Sequence, residues 1–426
     1  MKTQQLLKKI ESFGLKKYPV GFWNYTNLRE HGEHFDEREM DTLVDGGFTL
    51  TQTPNLDPNN PAEIAQTRRL LDWAAERDMK LIPRDPRCHA ESDPTGKLPK
   101  DGFRQRAEAA VRDFGDHPAN FGFYVGDEGT NDGMFECHRI QKELAPHLNP
   151  YYNLLPHFPG FNTEPGWAGY LDEFVAKCNA DLLSYDCYAQ MTMGTPMIDD
   201  YFRNLRLYRE AALRNGVPFW NTPLSIGHNQ YTCPDYNDIR WQFNTSVCCG
   251  AHGVIWFFHY QPQLFGNYRL APIDEFWEKT QTFYDLRRVQ RTFHRYYGDL
   301  FNRLVCTRVG FYPKPMGGGE AWTPNDIVAS IWPAYDESTP ILVGEFVDAQ
   351  NRRYVMFVNN SRTAIDRVKI TFRKNVKLFS RDASGQERLG GAYACEGGLQ
   401  MENDGLVAWH WLAPGQEAVY RVEITQ

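Results

Sequence analysis

A short apolar segment followed by an amphipathic helical pattern recurs eight times in the first 300 residues. Such alternation predicts parallel strands joined by helical crossovers. The predicted strands are 19–25, 48–53, 80–84, 121–126, 150–155, 181–188, 218–224 and 253–260. The predicted helices are 36–44, 61–77, 103–114, 135–148, 170–179, 198–215, 238–249 and 274–297. Eight such units match a (β/α)8 barrel. An open doubly wound sheet is disfavoured because no Gly-rich phosphate-binding turn follows the first strand.

The pattern changes after Leu300. Short alternating segments such as 341–348 and 352–360 are rich in β-branched and aromatic residues, turn signals separate them, and no helical pattern interrupts them. This pattern predicts an antiparallel β-sandwich. We therefore expect an α/β chain with a (β/α)8 barrel over 1–300, a connecting region over 301–329 and a small all-β sandwich over 330–426.

Charge and cysteine content narrow the class of protein. The 426 residues carry a net charge of -8, without the basic footprint of a nucleic-acid-binding protein. Nine cysteines at irregular spacings favour neither a disulfide framework nor a zinc site, and no histidines stand at metal-ligand spacing. We expect no metal and no cofactor.

The N-terminal segment 1–18 lacks the apolar run of a signal peptide, and no segment reaches membrane-spanning length. We expect no membrane association and a cytoplasmic protein. A chain whose signal had been removed, for secretion or the periplasm, would look the same. Three roles stay open for the sandwich: binding carbohydrate, mediating a homo-oligomer or bracing the barrel.

In a barrel of this type the active site lies at the carboxyl ends of the strands. Polar and aromatic residues recur there at nearly every strand, a mixture that suits sugars because hydroxyls need hydrogen bonds and ring faces need aromatic platforms. We therefore predict a carbohydrate substrate. The predicted substrate-binding residues are Trp23, Asn24, Gln52, Arg84, Asp85, Asn153, His157, Tyr188, Asn221, Trp256, His259 and Tyr260.

The end of the fourth strand carries two adjacent carboxylates, Asp127 and Glu128, between Gly126 and Gly129. Crowded like charges and partial burial raise the pKa of a carboxyl group, as a general acid requires. We predict Glu128 as the general acid. Asp127 is a further catalytic candidate, for which a supporting or helix-capping role is equally natural.

Asp186, at the end of the sixth strand, is the third catalytic candidate. Strand alternation places it on the same face as Tyr188. An ion pair with Arg84 or a structural hydrogen bond is an equally natural role for this carboxylate. For Asp85, the neighbouring Arg84 and Arg87 favour a structural network.

These motifs resemble those of clan A glycoside hydrolases, which use (β/α)8 barrels with an acid/base Glu at the end of strand four. Asp127-Glu128 stands where that family has Asn-Glu or Asp-Glu. Asp186-x-Tyr188 stands where a His-x-Tyr is common. The eighth strand (253–260, GVIWFFHY) is similar to the family's last strand with its sugar-stacking Trp. The resemblance implies a glycosidase, and a C-terminal β-sandwich is a common companion.

One departure concerns the mechanism. Retaining enzymes of this clan carry a nucleophilic Glu at the end of strand seven, whereas this chain has Phe219-Trp220-Asn221-Thr222 there. We therefore expect an inverting hydrolase with Glu128 as acid and Asp186 as base. That pairing needs carboxyl groups separated by about 6.5–9.5 Å. The alternatives are a non-catalytic carbohydrate-binding barrel and a sugar-acid lyase or isomerase. The second would need a metal or a basic cluster at the strand tops, where Arg84 and Arg87 are the only obvious cluster.

Overall fold

In the computed structural model, eight parallel strands form the inner layer of the first domain. The structure describes residues 2–160, 162–261, 267–393, 395–402 and 405–425. The strands are β1 Val20–Phe22, β2 Leu50–Asn55, β3 Lys80–Arg84, β4 Tyr124–Asp127, β5 Tyr151–Leu154, β6 Leu183–Asp186, β7 Phe219–Thr222 and β8 Val254–Trp256. Most are shorter than their predicted segments, and β3 has the predicted bounds.

The eight strands close into a cylinder. Six of them are hydrogen-bonded in the order β1-β8-β7-β6-β5-β4, and β2 pairs with β3. The amide of Thr49 donates to the Val20 carbonyl over 2.9 Å, joining β2 to β1. The amide of Leu81 donates to Ala119, and that of Phe121 donates to Leu81, over 2.7 and 2.8 Å. These bonds join β3 to the segment before β4, so the predicted barrel is confirmed.

Helices surround the cylinder. They are α1 Lys2–Ser12, α2 Leu28–His31, α3 Glu37–Gly46, α4 Pro61–Glu76, α5 Phe103–Phe114, α6 Asp132–Leu144, α7 Glu164–Cys178, α8 Ile198–Asn215, α9 Tyr236–Cys248 and α10 Gln281–Tyr297, with 3-10 turns at Gly32–His34, Pro86–Cys88, Ala189–Met191 and Phe301–Arg303. In the described part of the chain, no helix combines the length and apolar character needed to cross a membrane.

Local sequence signals set several helix ends. The bounds of α5 and α8 are those predicted, and Gly216 ends α8 in the left-handed conformation with φ 69°. The predicted start of α10 was wrong by seven residues. The Asp274 carboxylate accepts the amides of Phe276 and Glu278 in a turn, which keeps this stretch out of the helix until Gln281.

Two β-sheets follow the barrel. Their strands are β9 Val305–Tyr312, β10 Glu320–Ala321, β11 Val328–Pro333, β12 Ile341–Val347, β13 Arg353–Asn359, β14 Asp366–Phe372, β15 Val376–Arg381, β16 Glu387–Leu389, β17 Cys395–Glu402, β18 Gly405–Leu412 and β19 Glu417–Ile424. The first sheet has the order β10-β9-β12-β13-β19-β15-β16 and the second β11-β14-β18-β17. All pairs are antiparallel except β9 with β10. The predicted fold class, a barrel followed by a β-sandwich, is confirmed.

The connecting region predicted over 301–329 contributes directly to the sandwich. Within it, β9 pairs with β12 along seven residue positions, from Val305 opposite Val347 to Tyr312 opposite Ile341. We therefore propose that the sandwich domain begins at Val305 and not near residue 330.

Helix α9 carries the contact between barrel and sandwich. The Trp241 indole donates to the Asn360 side chain over 2.8 Å, and the Asn244 amide donates to the Glu417 carboxylate over 2.7 Å. Tyr393 also donates to Glu417, which is only 4% exposed and lines a cavity of about 210 Å³. Burial raises the pKa of Glu417 to about 7.

Replacing this acid is expected to change the pH dependence of stability. Because its pKa is higher in the folded than in the unfolded chain, Glu417 stabilises the fold fully below about pH 4.5, and this contribution is lost as the pH rises through 7. We expect Glu417→Gln to flatten the fall in the free energy of unfolding between pH 5 and 8, by at most about 1.4 kcal/mol per pH unit. Urea unfolding at each pH measures it.

Glu423→Gln, at an exposed position on the same strand, is the matched control and should keep the wild-type pH slope. Equal slopes for wild type and Glu417→Gln would contradict the assignment of Glu417 as the ionising group.

Candidate active site

Three carboxylates meet at the carboxyl ends of β4 and β6. Asp127, Glu128 and Asp186 each place one oxygen within 4.8 Å of an oxygen of the other two. Adjacent residues of a strand point to opposite faces. Glu128 escapes this alternation because its backbone is left-handed, with φ 55°, and its amide donates to the Asn153 carbonyl over 2.8 Å. A non-glycine residue adopts that conformation at an energetic cost, which is often found at functional sites.

Asn153 on β5 holds two of the three acids. The pairing register places it opposite Asp127 on β4 and next to β6. Its side-chain amide donates to Asp127 over 3.0 Å and to Asp186 over 2.7 Å. The Tyr188 hydroxyl gives Asp186 a second hydrogen bond. The predicted site residues Asn153 and Tyr188 therefore position the catalytic candidates.

The crowding changes the proton affinity of all three acids. Burial, followed by the charges of Glu128 and Asp127, raises the pKa of Asp186 to about 8. Loss of hydration and the charge of Asp127 raise the pKa of Glu128. Loss of hydration also raises the pKa of Asp127, opposed by the Asn153 hydrogen bond and the charge of Arg84. Asp186 therefore holds a proton at neutral pH. Asp127 and Glu128 are both exposed to solvent.

These findings do not support Asp186 as the base of an inverting pair. A protonated carboxyl cannot accept a proton from water. The nearest oxygens of Glu128 and Asp186 lie within 4.8 Å of each other, so the two carboxyl groups crowd one another.

An aromatic wall stands beside the acids. Trp23 stacks with Tyr25, with ring centroids 6.0 Å apart, and Tyr25 contacts Phe257 at 5.9 Å. Phe257 continues to Tyr188 at 5.0 Å, and Tyr188 contacts Tyr231 at 5.6 Å. Tyr25 is 42% exposed, so part of the wall faces solvent. Exposed aromatic faces next to carboxylates suit a sugar ring, whose faces are apolar and whose edges are polar.

Behind the wall, the predicted residues Asn24, Gln52 and Arg84 form one buried hydrogen-bonded group. Arg84 donates to the side-chain oxygen Oε1 of Gln52 over 3.0 Å, and the Asn24 backbone amide donates to the same atom over 3.2 Å. The Asn24 carbonyl oxygen accepts from Thr26. Asn24 therefore supports the floor of the site and does not face a ligand.

The structure corrects three predictions on the eighth strand. This strand ends at Trp256, whose ring stacks on Phe243 of α9 at 6.4 Å. His259 is fully buried and stacks on Phe22 at 4.3 Å. Tyr260 donates to a glutamate of α3 over 2.6 Å. All three side chains belong to the layer between strands and helices, so none enters the candidate site.

Three more predicted residues have structural partners. Asp85 is fully buried and forms an ion pair with Arg87 over 2.7 Å. The His157 amide donates to Asn204 of α8 over 2.6 Å, and its ring contacts a carbonyl of its own loop. Asn221 donates to a serine of α9 over 2.9 Å and therefore points away from the barrel axis.

Several wall residues were absent from the sequence prediction. Phe257 directly follows β8 and could have been found by applying the strand-end rule at the observed boundary. Tyr124 contacts Trp23 of the wall, with ring centroids 5.5 Å apart, but it lies within an apolar strand and is indistinguishable there from a core residue. Tyr231 lies in the irregular segment between β7 and α9, for which periodicity predicts nothing.

The acid cluster is also the place where a cation would bind. Asp127, Glu128 and Asp186 form the only group of three potential ligands this close together among the described residues. Their oxygens are the donors that Ca²⁺ and Mg²⁺ prefer. Acids that hold protons can lie as close together as metal ligands do, and the raised pKa values indicate that these acids hold protons. The cluster by itself therefore does not indicate a metal.

Comparisons with known proteins concern the fold. No protein-family model matches the chain, and no curated protein matches its sequence. A family 39 glycoside hydrolase from Bacteroides cellulosilyticus WH2 is similar in structure, with a TM-score of 0.51 and 11% identity over 96% of this chain and 82% of that chain. A glucosidase from Croceicoccus marinus has a TM-score of 0.48 and 13% identity, over 97% and 96% of the two chains.

A β-galactosidase from Marinomonas ef1 has a TM-score of 0.49 and 11% identity, over 64% of this chain. The match spans 59% of that β-galactosidase, less than two thirds of its length. Of these three, the family 39 enzyme exceeds a TM-score of 0.5, and at 11% identity its likeness concerns the fold alone. The predicted resemblance to clan A glycoside hydrolases is thus confirmed for the architecture of the chain.

Relieving the crowding of the acids should stabilise the protein. Because the pKa of Asp186 rises to about 8 on folding, its contribution to stability is lost as the pH rises from about 4 through 8. Asp186→Asn removes the ionisation and keeps an oxygen for the Asn153 hydrogen bond. We expect its melting temperature to exceed that of the wild type by a few degrees at pH 8.5, and by less at pH 5, in calorimetry.

Asp101→Asn, at an exposed position before α5, should leave the melting temperature unchanged at both values of pH. A melting temperature of Asp186→Asn below that of the wild type at pH 8.5 would show that Asp186 is ionised and paired in the folded protein.

Proposed function

We propose that this protein is a glycoside hydrolase. One observation carries the proposal: a carboxyl group with a raised pKa, Glu128, lies at the end of a barrel strand beside two further acids and an exposed aromatic wall. Cleavage of a glycosidic bond needs a proton for the leaving oxygen and a carboxylate near the developing positive charge. The family 39 glycoside hydrolase with the same architecture supports this reaction class.

In the proposed mechanism, Glu128 donates the proton to the leaving oxygen. Its accessibility and its raised pKa suit a group that must hold a proton near neutral pH and deliver it to a ligand. We assign Asp127 as the ionised partner: burial raises its pKa, but the Asn153 hydrogen bond and the charge of Arg84 both oppose that rise. Its negative charge stabilises the oxocarbenium-like transition state. A water molecule then bonds to the anomeric carbon in place of the leaving oxygen and returns a proton to the Glu128 carboxylate.

Asp186 acts as a positioning residue. Its proton limits the negative charge next to Glu128 and Asp127, and its hydrogen bonds with Asn153 and Tyr188 fix the cluster. In this arrangement only two of the three acids carry the chemistry, and the third adjusts their proton affinity.

The role of Glu128 predicts a dependence on the leaving group. An aryl group with an acidic phenol needs little protonation, whereas an alcohol of a second sugar needs a full proton transfer. We expect Glu128→Gln to lower kcat/KM by about 10²–10⁴-fold on oligosaccharides and by much less on dinitrophenyl glycosides. Steady-state kinetics of wild type and variant on both substrate types measure these two losses. The same assays are repeated in the presence of EDTA.

Glu143→Gln, on the exposed surface of α6, serves as the matched control and should retain wild-type kinetics on both substrates. An equal loss on both substrates would contradict the role of Glu128 as proton donor. Ligand binding without turnover by the wild type, on a full panel of glycosides, would instead indicate the carbohydrate-binding alternative. Loss of activity in EDTA would show that a metal takes part.

A further inference from the structure

Arg84 is a buried cation behind the aromatic wall of the candidate site. It ends β3 and is 7% exposed. Its guanidinium lies over the Tyr124 ring, 4.4 Å from the centroid, and within 5.8 Å of the centroids of Trp23 and Tyr25. Both Trp23 and Tyr25 belong to the aromatic wall described above. The cation therefore lies against the aromatic residues beside the acids, close enough for the charge of Asp127 to act on it.

The hydrogen bonds of Arg84 leave one end of the guanidinium unused. Nη1 donates to the side-chain oxygen Oε1 of Gln52 over 3.0 Å, and Nε donates to the side-chain oxygen Oδ1 of Asn55 over 3.3 Å. Both acceptors are neutral amides. Among the described residues, no acceptor is bonded to Nη2 and no carboxylate forms an ion pair with Arg84; the charge of Asp127 acts on it from a greater distance. A buried charge is normally paired with a group of opposite charge.

The polar atoms around the guanidinium point to the chemistry of the missing partner. The Trp23 indole nitrogen and the Gln52 side-chain nitrogen are buried donors without an acceptor in the described residues. The nearby amide oxygens of Gln52 and Asn55 already accept from Arg84. A sugar hydroxyl brings both a donor and an acceptor, whereas a carboxylate or a sulfate brings acceptor oxygens only. A group of unpartnered donors around a positive charge favours the second kind of ligand.

We propose that Arg84 binds an anionic substituent of the substrate, so that the sugar held beside Glu128 is an acidic one. The substituent is a carboxylate, as in a uronic acid, or a sulfate ester. This inference rests on the proposed glycosidase function and adds the substrate class to it. The aromatic wall contacts the sugar ring, and Arg84 binds the anionic group at one edge of that ring.

A purely structural role makes a different prediction. The charge of Arg84 lowers the pKa of Asp127, so removing it would impair the acid cluster toward every substrate alike. If Arg84 binds an anion, its removal instead lowers kcat/KM for acidic sugars more than for neutral sugars. The ratio of kcat/KM between two such sugars therefore distinguishes the roles, because an effect on the acid cluster cancels in the ratio.

The first experiment uses the wild-type protein. Paired 4-methylumbelliferyl α- and β-glycosides of glucuronic acid and glucose, of galacturonic acid and galactose, and of the 6-sulfated and unsulfated hexoses are assayed. We expect kcat/KM to be about 10- to 100-fold higher for the acidic member of one pair, the gain typical of a charged hydrogen bond. Whether the preferred substrate is a uronide or a sulfated hexose identifies which anion Arg84 binds. Faster cleavage of every neutral member would overturn the proposal.

The second experiment uses Arg84→Gln and Arg84→Lys, with Arg104→Gln on the surface of α5 as the matched control. Arg84→Gln should abolish the preference for the acidic sugar, Arg84→Lys should retain part of it, and the control should retain all of it. An unchanged ratio in Arg84→Gln would overturn the proposal even if both rates fall.

Binding separates this proposal from the proposed function. Calorimetric titration of Glu128→Gln with glucuronate, galacturonate and glucose 6-sulfate, against glucose and galactose, needs no turnover. Tighter binding of an acidic sugar, lost on adding Arg84→Gln, supports the role of Arg84 even if the wild type hydrolyses nothing. Hydrolysis of glycosides with tighter binding of the neutral sugars supports the glycosidase and overturns the acidic substrate.

Discussion

The bridging amide of Asn153 is the interaction on which the candidate site depends. It donates to Asp127 and to Asp186, two acids on strands that are not neighbours in the barrel. Without a donor between them, like charges at this distance would repel each other or be screened by water. Because the amide is neutral, it brings the acids together without cancelling their charge. The unfavourable energy of crowding these acids therefore raises their proton affinity.

The backbone contributes the second constraint. Had Glu128 continued the strand, its carboxylate would face away from Asp127 and the barrel axis. The left-handed turn at Glu128, held by the carbonyl of Asn153, returns it to the same side. One residue of β5 thus orients both acids at the end of β4, through its side chain and through its backbone.

Sequence reasoning found the fold because hydrophobic periodicity reports burial directly. It placed β3, α5 and α8 at their observed bounds and identified Glu128 as a carboxylate ending an apolar strand. It failed for His259 and Tyr260 because an apolar run does not show where a strand stops, and β8 stops at Trp256. Asp85 was misplaced because strand position cannot reveal that Arg87 folds back onto it. Side-chain direction, unlike burial, depends on partners that are distant in the sequence.

The charges of the opening are separated in a way that constrains what can bind there. The negative charge lies on Asp127 at the end of β4, and the positive charge of Arg84 lies at the end of β3 against the Tyr124 ring. A neutral sugar leaves the buried guanidinium without a counter-charge, while a sugar with one anionic edge compensates it. The orientation of such a sugar is then also determined, because its anionic edge is repelled by Asp127 and attracted by Arg84. The same field that raises the proton affinity of Glu128 thereby selects which end of the substrate approaches it.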